Sequence, residues 1–235
     1  MWFHGSKHTF NLLTNTKMET KHQVHNLILL DESGSMTSIK NTIIQGFNEL
    51  VQTVKGIALQ YPEQEHLISF FTFNGLGIKT LHFCEPVEKL SEIDERKYQP
   101  DAMTPLYDAM GFSFVKLRKE LESITDFNVL VTILTDGEEN SSREYSGEAI
   151  KRLVEELSQQ RWTFTYIGAD HDVEKFAVSI SISNTMKFSK NEEDMKQMFA
   201  KEQSARAIYS RKIRMKEETS LFFYDEDDDK KDDKK

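Results

Sequence analysis

Leu27-Ile28-Leu29-Leu30-Asp31-Glu32-Ser33-Gly34-Ser35-Met36 is the stretch that decides the fold. Four consecutive apolar residues without alternation mark a strand buried on both faces, as in a parallel sheet that carries helices above and below. The run stops at an acid and a Ser-Gly-Ser turn, and a helical pattern starts at once. Met36, Ile39, Ile43, Ile44, Phe47, Leu50, Val51, Val54 and Ala58 recur at steps of three and four, the apolar face of a helix of about six turns. Tyr61-Pro62 ends it, because the residue before a proline is pushed out of the helical region.

Working outward, the same strand-acid pattern returns in Val129-Leu130-Val131-Thr132-Ile133-Leu134-Thr135-Asp136. Between the two lie Leu67 to Phe73 and Ile78 to Cys84, separated by Asn74-Gly75-Leu76-Gly77. That is a hairpin signal, so the second of these strands runs antiparallel to the first. Leu106, Tyr107, Met110, Phe114, Leu117 and Leu121 mark a second helix, preceded by an aperiodic stretch from Glu85 to Thr104. A loop this long inside a compact domain usually has a function. A helix (Ala149 to Leu157), a strand (Trp162 to Ile167), a short helix (Val173 to Ile180), a strand (Met186 to Phe188) and a final helix (Glu192 to about Met215) complete the series. Strands alternating with helices predict an α/β chain, a Rossmann-like, doubly wound, mostly parallel sheet.

The 235 residues divide into a loose leader over 1–22, one folded domain over 23–215 and a charged, disordered tail over 216–235. The leader mixes His, Lys, Asn and Thr, and its Met18 is an alternative start to Met1. His4, His8, His22 and His25 read as solvated. Asp170-His171-Asp172 reads as a helix N-cap with a solvent-facing His rather than a metal cluster. Lys and Arg number 30 against 39 Asp and Glu, a net charge of −9, without the basic stripe that nucleic-acid binding requires. No apolar run approaches the roughly 20 residues that span a bilayer. A single cysteine, Cys84, excludes an internal disulfide and a thiolate zinc knuckle. A cytoplasmic protein that binds neither nucleic acid nor membrane is expected.

In an open α/β sheet, ligands bind beyond the carboxyl ends of the strands. Those ends supply oxygen: Asp31, Ser33 and Ser35 after one strand, Thr104 in the loop before the second helix, and Asp136 after another. Two carboxylates and three hydroxyls with no His or Cys form a hard-donor set suited to Mg²⁺ or Mn²⁺ and poorly suited to Zn²⁺ or Cu²⁺. Leaving a strand, residues i, i+2 and i+4 point to one side, so Asp31, Ser33 and Ser35 converge. Taken singly, each segment reads more simply as a helix cap, the serines satisfying free N–H groups. Their conjunction in one order along the chain favours the metal.

These motifs resemble a von Willebrand factor A domain with a complete metal-ion-dependent adhesion site at Asp31, Ser33, Ser35, Thr104 and Asp136. The resemblance covers residues 24–200 or so, and the wording around Asp31 and Asp136 is similar to that of intracellular bacterial members, including tellurite-resistance-associated ones. It implies that the antiparallel strand lies at the sheet edge. It also implies that Ser33 and Ser35 bind the metal directly, that Asp31, Thr104 and Asp136 bind directly or through water, and that a sixth position awaits a ligand carboxylate. Ala102 departs from the pattern, standing where the family usually has Gly two residues before the threonine. The implied function is a non-enzymatic, metal-dependent protein interaction module. Its partner would supply an Asp or Glu, an ATPase or a stress-system component being the class that such members accompany. The alternative is a Mg²⁺-dependent, phosphatase-like phosphoryl transferase with Asp31 as nucleophile, although the helper acid expected two residues on is Ser33.

Overall fold

The computed structural model describes residues 21–169, 172–221, 223 and 224. Its regular elements are β1 (His22–Asp31), α1 (Lys40–Gln60), β2 (Gln64–Asn74), β3 (Gly77–Pro86), α2 (Leu106–Glu120), β4 (Phe127–Thr135), α3 (Gly147–Ser158), β5 (Trp162–Gly168), α4 (Val173–Ser179), β6 (Asn184–Lys187) and α5 (Glu192–Met215). The strands form one sheet in the order β3-β2-β1-β4-β5-β6, parallel throughout except for the β2–β3 hairpin at one edge. This is the expected doubly wound α/β sheet. β1 lies in its interior, and the order reverses between β1 and β4, where the two crossovers leave in opposite directions.

The continuous apolar runs are buried on both faces because alternate residues serve different layers. Ile28 and Leu30 pack with Phe47 of α1 and Phe199 of α5, whereas Leu27 and Leu29 pack with Phe114 of α2, Val154 of α3 and Val173 of α4. α1 and α5 approach closely at Gly46, where a methyl group would fall 2.0 Å from the Phe199 ring. The first helical residues after β1 wind more tightly than the periodicity alone indicates: Gly34–Ile39 is a 3₁₀ turn, and the α-helix starts at Lys40. Gly34 N–H donates to the Ala102 carbonyl at 3.0 Å, which ties this turn to the loop ahead of α2.

α5 is fixed at mid-length by a buried charge. Arg206 donates to Glu202 Oε1 (2.8 Å), Asn26 Oδ1 (2.9 Å) and Thr132 Oγ1 (2.6 Å), so one guanidinium joins the helix to β1 and β4. Among the described residues no helix is long and apolar enough to cross a membrane.

Two expectations are corrected. The charged tail does not begin at 216: Lys216 takes a left-handed turn (φ 59°), and the chain returns to the sheet, burying Thr219, Phe223 and Tyr224. Tyr224 Oη donates to Glu202 Oε2 at 2.7 Å, and Phe223 N–H donates to Asn184 Oδ1 at 3.0 Å. A short apolar cluster with no period beside a charge run gave no sign of this docking. The second correction concerns His22 and His25. Both belong to β1, which begins well before its apolar run because backbone pairing to β2 and β4 extends through Gln23. His25 is 2% exposed. Residues 1–20 of the leader, with His4, His8 and Met18, lie outside the described residues, as do 225–235.

Burial holds the His25 imidazole down to about 4, and His66 on β2 also to about 4, burial being the largest cause and the nearby Arg206 adding to it. Their ordinary value is near 6.5, so between pH 6.5 and 4 the unfolded chain binds protons that the folded chain refuses, and stability falls as pH falls through that window. From pH 6.5 to 5 the loss should be about 2 kcal/mol per histidine. Urea unfolding of wild type and of a His25→Gln/His66→Gln double variant measures it: the slope between these pH values should be shallower in the variant, and equal slopes would refute buried neutral histidines.

Candidate metal centre

β1 and β4 are neighbours in parallel register, Leu30 opposite Leu134, so the residues that follow them emerge side by side at the sheet's carboxyl edge. Asp31 Oδ2 accepts from Thr135 Oγ1 at 2.6 Å, and its Oδ1 accepts from Ser33 N–H at 2.7 Å. Ser33 Oγ lies 3.1 Å from Ser35 Oγ, and Ser35 Oγ donates to Asp136 Oδ1 at 2.5 Å. Thr104 reaches the same point from the loop before α2. A methyl group built on Gly137 would stand 3.3 Å from Thr104 Oγ1 and 3.4 Å from Ser35 Oγ, so Gly137 keeps open the space between the two hydroxyls. All five residues singled out from the sequence therefore gather at one place, at the switch point of the sheet.

The helix-cap reading fails at each segment. Ser33 occupies the N-cap of the 3₁₀ turn without a side-chain capping bond, and α2 is preceded by Pro105, likewise without one. No helix follows Asp136 directly, since α3 starts only at Gly147 and is capped by Ser146. The oxygens instead face one another. Among the described residues no three His, Cys, Asp or Glu side chains gather as a metal cluster. The donors here are two carboxylates and three hydroxyls, a set that fits a hard divalent cation and no soft one.

The electrostatics leave this site short of positive charge. Asp31 is fully buried, and desolvation, with a smaller contribution from Asp136, lifts its carboxyl to about 6 against the hydrogen bonds from Thr135 and Ser33. Asp136 Oδ2 is buried and accepts no hydrogen bond, although the Lys190 ammonium stands 2.9 Å away as an ion pair. Lys190 lies in the loop between β6 and α5. Nothing in the sequence pointed to it, because β6 is two strands from β4 in the sheet and a single lysine in a loop has no spacing signal.

A second tier of residues, also unread from the sequence, holds the loops in place. Glu32, whose side chain is fully buried, takes Lys79 Nζ at 3.0 Å on both carboxylate oxygens and Gln99 N–H at 2.7 Å. Tyr98 Oη donates to the Asp31 carbonyl at 2.7 Å. Thr104 is clamped by Asn140, whose Oδ1 accepts from Thr104 N–H at 2.9 Å while its own N–H donates to the Thr104 carbonyl at 3.2 Å. Glu139 accepts from Tyr107, Ser141 and Ser142 N–H groups, and Asp108 from those of Arg143, Glu144 and Tyr145. Ala102 has φ 62°, a left-handed conformation that favours glycine, which supplies the physical reason for the glycine usual at this point in the pattern. Asp172 caps α4 as expected, accepting from Lys175 N–H at 3.2 Å, while Asp170 and His171 lie outside the described residues.

Comparison with solved structures places the fold. Two structures of proximal thread matrix protein 1 from the mussel byssus match 80% of this chain, at 13% and 14% identity with TM-scores of 0.55 and 0.52. The SpRpn10 VWA domain matches 76% of this chain and 94% of its own length, at 12% identity and a TM-score of 0.50. The chain spans about half the length of the mussel chains, 46% and 47%. No family model and no curated protein matches the sequence. At these identities the likeness shows the fold, that of a VWA domain, and nothing of a ligand.

Two substitutions test this frame. Glu32→Ala removes the acceptor of the part-buried Gln99 N–H and the partner of Lys79, and should cost about 1–3 kcal/mol in urea unfolding, with Glu32→Gln milder because it keeps an acceptor. Ala102→Gly should leave the fold intact and gain up to about 1 kcal/mol by relieving the left-handed alanine. A clear loss with Ala102→Gly would mean that the Ala102 methyl, packed near Gly75, outweighs its backbone strain.

Proposed function

We propose that this chain is a metal-dependent protein-interaction module in which Asp31, Ser33, Ser35, Thr104 and Asp136 hold Mg²⁺ or Mn²⁺ and a partner's Asp or Glu carboxylate completes the site. The observation that carries the proposal is the convergence of side chains that were free to cap helices and do not. When bound, the ion supplies a positive charge with a coordination position left for an anion. The chain's own residues do the rest. Asp31 and Asp136 provide the negative charge, the serine and threonine hydroxyls add neutral donors, and Glu32, Asn140 and Glu139 keep the three loops in register. The VWA fold of the solved neighbours agrees with an interaction module, and the partner class proposed is a component, such as an ATPase, of a bacterial stress or phage-related complex.

A phosphoryl transferase that used Asp31 as nucleophile finds no support. The Asp31 side chain is fully buried, whereas a nucleophile has to come within reach of the substrate's phosphorus.

Melting curves with Mg²⁺ and with chelator test the site. At a hundredfold excess over its dissociation constant the ion should add about 2.7 kcal/mol of stability, and Asp31→Ala should abolish the response. Identical wild-type curves would refute the metal. Capture of partners from lysate should then require Mg²⁺, survive moderate salt and weaken in Thr104→Ala. A partner set indifferent to chelator would place recognition on another surface.

A further inference from the structure

Lys190 stands where a cation is wanted. Its ammonium is 2.9 Å from Asp136 Oδ2, an oxygen of a fully buried side chain, while Asp136 Oδ1 is held by Ser35. The lysine side chain is itself only 24% exposed, so this pair is not one of the solvated surface pairs that contribute little. The other lysine bound to a buried acid nearby, Lys79, is committed to Glu32, whose carboxylate also takes Gln99 N–H. Among the described residues, Lys190 is thus the lysine that brings an ammonium to the carboxylate pair of Asp31 and Asp136, through its contact with Asp136. One ammonium leaves that pair short by one charge, whereas a divalent ion balances it. The ion and the ammonium would also repel each other if both held Asp136, and at such separations in a poorly solvated site that repulsion is large.

From this we infer that Lys190 is a tethered competitor of the metal: it neutralises Asp136 while the ion is absent and must leave for the ion to be held fully. The inference rests on the metal reading above. Its position gives the exchange a consequence for the fold. Lys190 immediately precedes Asn191, the N-cap of α5, whose Oδ1 accepts from Asp194 N–H at 2.9 Å. Displacing the ammonium removes its tie to Asp136 just before α5 begins, so metal occupancy is signalled to the first turn of that helix. Linkage makes the effect reciprocal: whatever stabilises the Lys190–Asp136 pair weakens the ion by the same factor.

The test is Mn²⁺ affinity of the full chain, read by electron paramagnetic resonance of free Mn²⁺, for wild type, Lys190→Gln and Lys190→Arg. Lys190→Gln should bind Mn²⁺ at least fivefold more tightly than wild type, and its metal-free form should melt at a lower temperature, since Asp136 then lacks a counter-charge. Lys190→Arg keeps the charge and should stay close to wild type. Hydrogen exchange supplies a readout beyond affinity: in wild type, Mn²⁺ should change protection over residues 189–195, and in Lys190→Gln that change should be absent. Equal or weaker Mn²⁺ binding by Lys190→Gln, with wild type binding normally, overturns the competitor and leaves the metal site standing. Failure of both proteins to bind Mn²⁺ overturns the metal reading and this inference with it.

Discussion

The structure turns on two aspartates that the sheet forces together. β1 and β4 are adjacent and parallel, and each ends in a carboxylate, so Asp31 and Asp136 emerge on neighbouring strand ends whatever the loops do. Taking two like charges out of water is unfavourable, and mutual repulsion adds to desolvation. The fold answers with donors, Thr135 and Ser33 on Asp31 and Ser35 on Asp136, and with the Lys190 ammonium as a counter-charge to Asp136. The hydrogen bonds draw the Asp31 carboxyl down, but desolvation outweighs them, so it remains lifted to about 6. A cation site of the kind proposed has to carry this unfavourable charge before the cation arrives, and the remainder of the domain supplies the stability that allows it.

That stability is concentrated in the loops as much as in the core. The loop ahead of α2 is held from three directions: by Glu32 through Gln99, by Gly34 through Ala102, and by Asn140 through Thr104. Each anchor is a buried or half-buried polar group with a backbone partner, so loss of any one leaves an unpaired group in a dry place. The arrangement accounts for a long aperiodic segment that is nevertheless fixed: its own apolar residues Val87, Leu90, Ile93 and Tyr98 are buried against the α1 face of the sheet. Left-handed Ala102 sits between two of these anchors, and their combined constraint keeps a conformation that an alanine avoids in isolation.

What could be read from the sequence follows from which signals are local. Continuous apolar runs at Leu27 to Leu30 and Val129 to Leu134, the Asn74 to Gly77 turn and the helical period after Met36 are short-range patterns, and the α/β alternation and the hairpin follow from them, whereas the hairpin's edge position is what the family resemblance implies and the strand order is set by long-range pairing. The five oxygen donors were readable because each sits at a strand end or before a helix, where topology alone brings it to one edge. Glu32 was obscured by its neighbours: on a chain leaving a strand it points away from Asp31 and Ser33, and only the structure shows Lys79 and Gln99 there. Tyr98, Asn140 and Lys190 reach the site from loops without period. His25 and Tyr224 were misjudged for the same reason, since polar residues flanking a strand and an apolar cluster beside a charged tail are placed by pairing and packing that no local pattern encodes.

The buried pair on α5 limits how any signal from the site could travel. Arg206 is bonded to Asn26 on β1, Thr132 on β4 and Glu202 on its own helix, and Glu202 accepts in addition from Tyr224. Sliding α5 along the sheet by one turn, about 5.4 Å, would break all of the bonds to the sheet while keeping a buried charge, and stripping partners from a buried ion pair typically costs 3–5 kcal/mol. A displacement of the whole helix would have to meet that cost from the difference in ligand affinity between two states, since a ligand shifts an equilibrium by no more than that difference. The first turn carries no bond to the sheet of this kind: Glu192 and Glu193 are exposed, Asp194 is half-buried, and Asn191 forms the cap, although Met195 behind them is buried. Movement confined to the segment from Lys190 to the first turn leaves Arg206 undisturbed, and it is the route for which the charge arrangement sets the lower barrier.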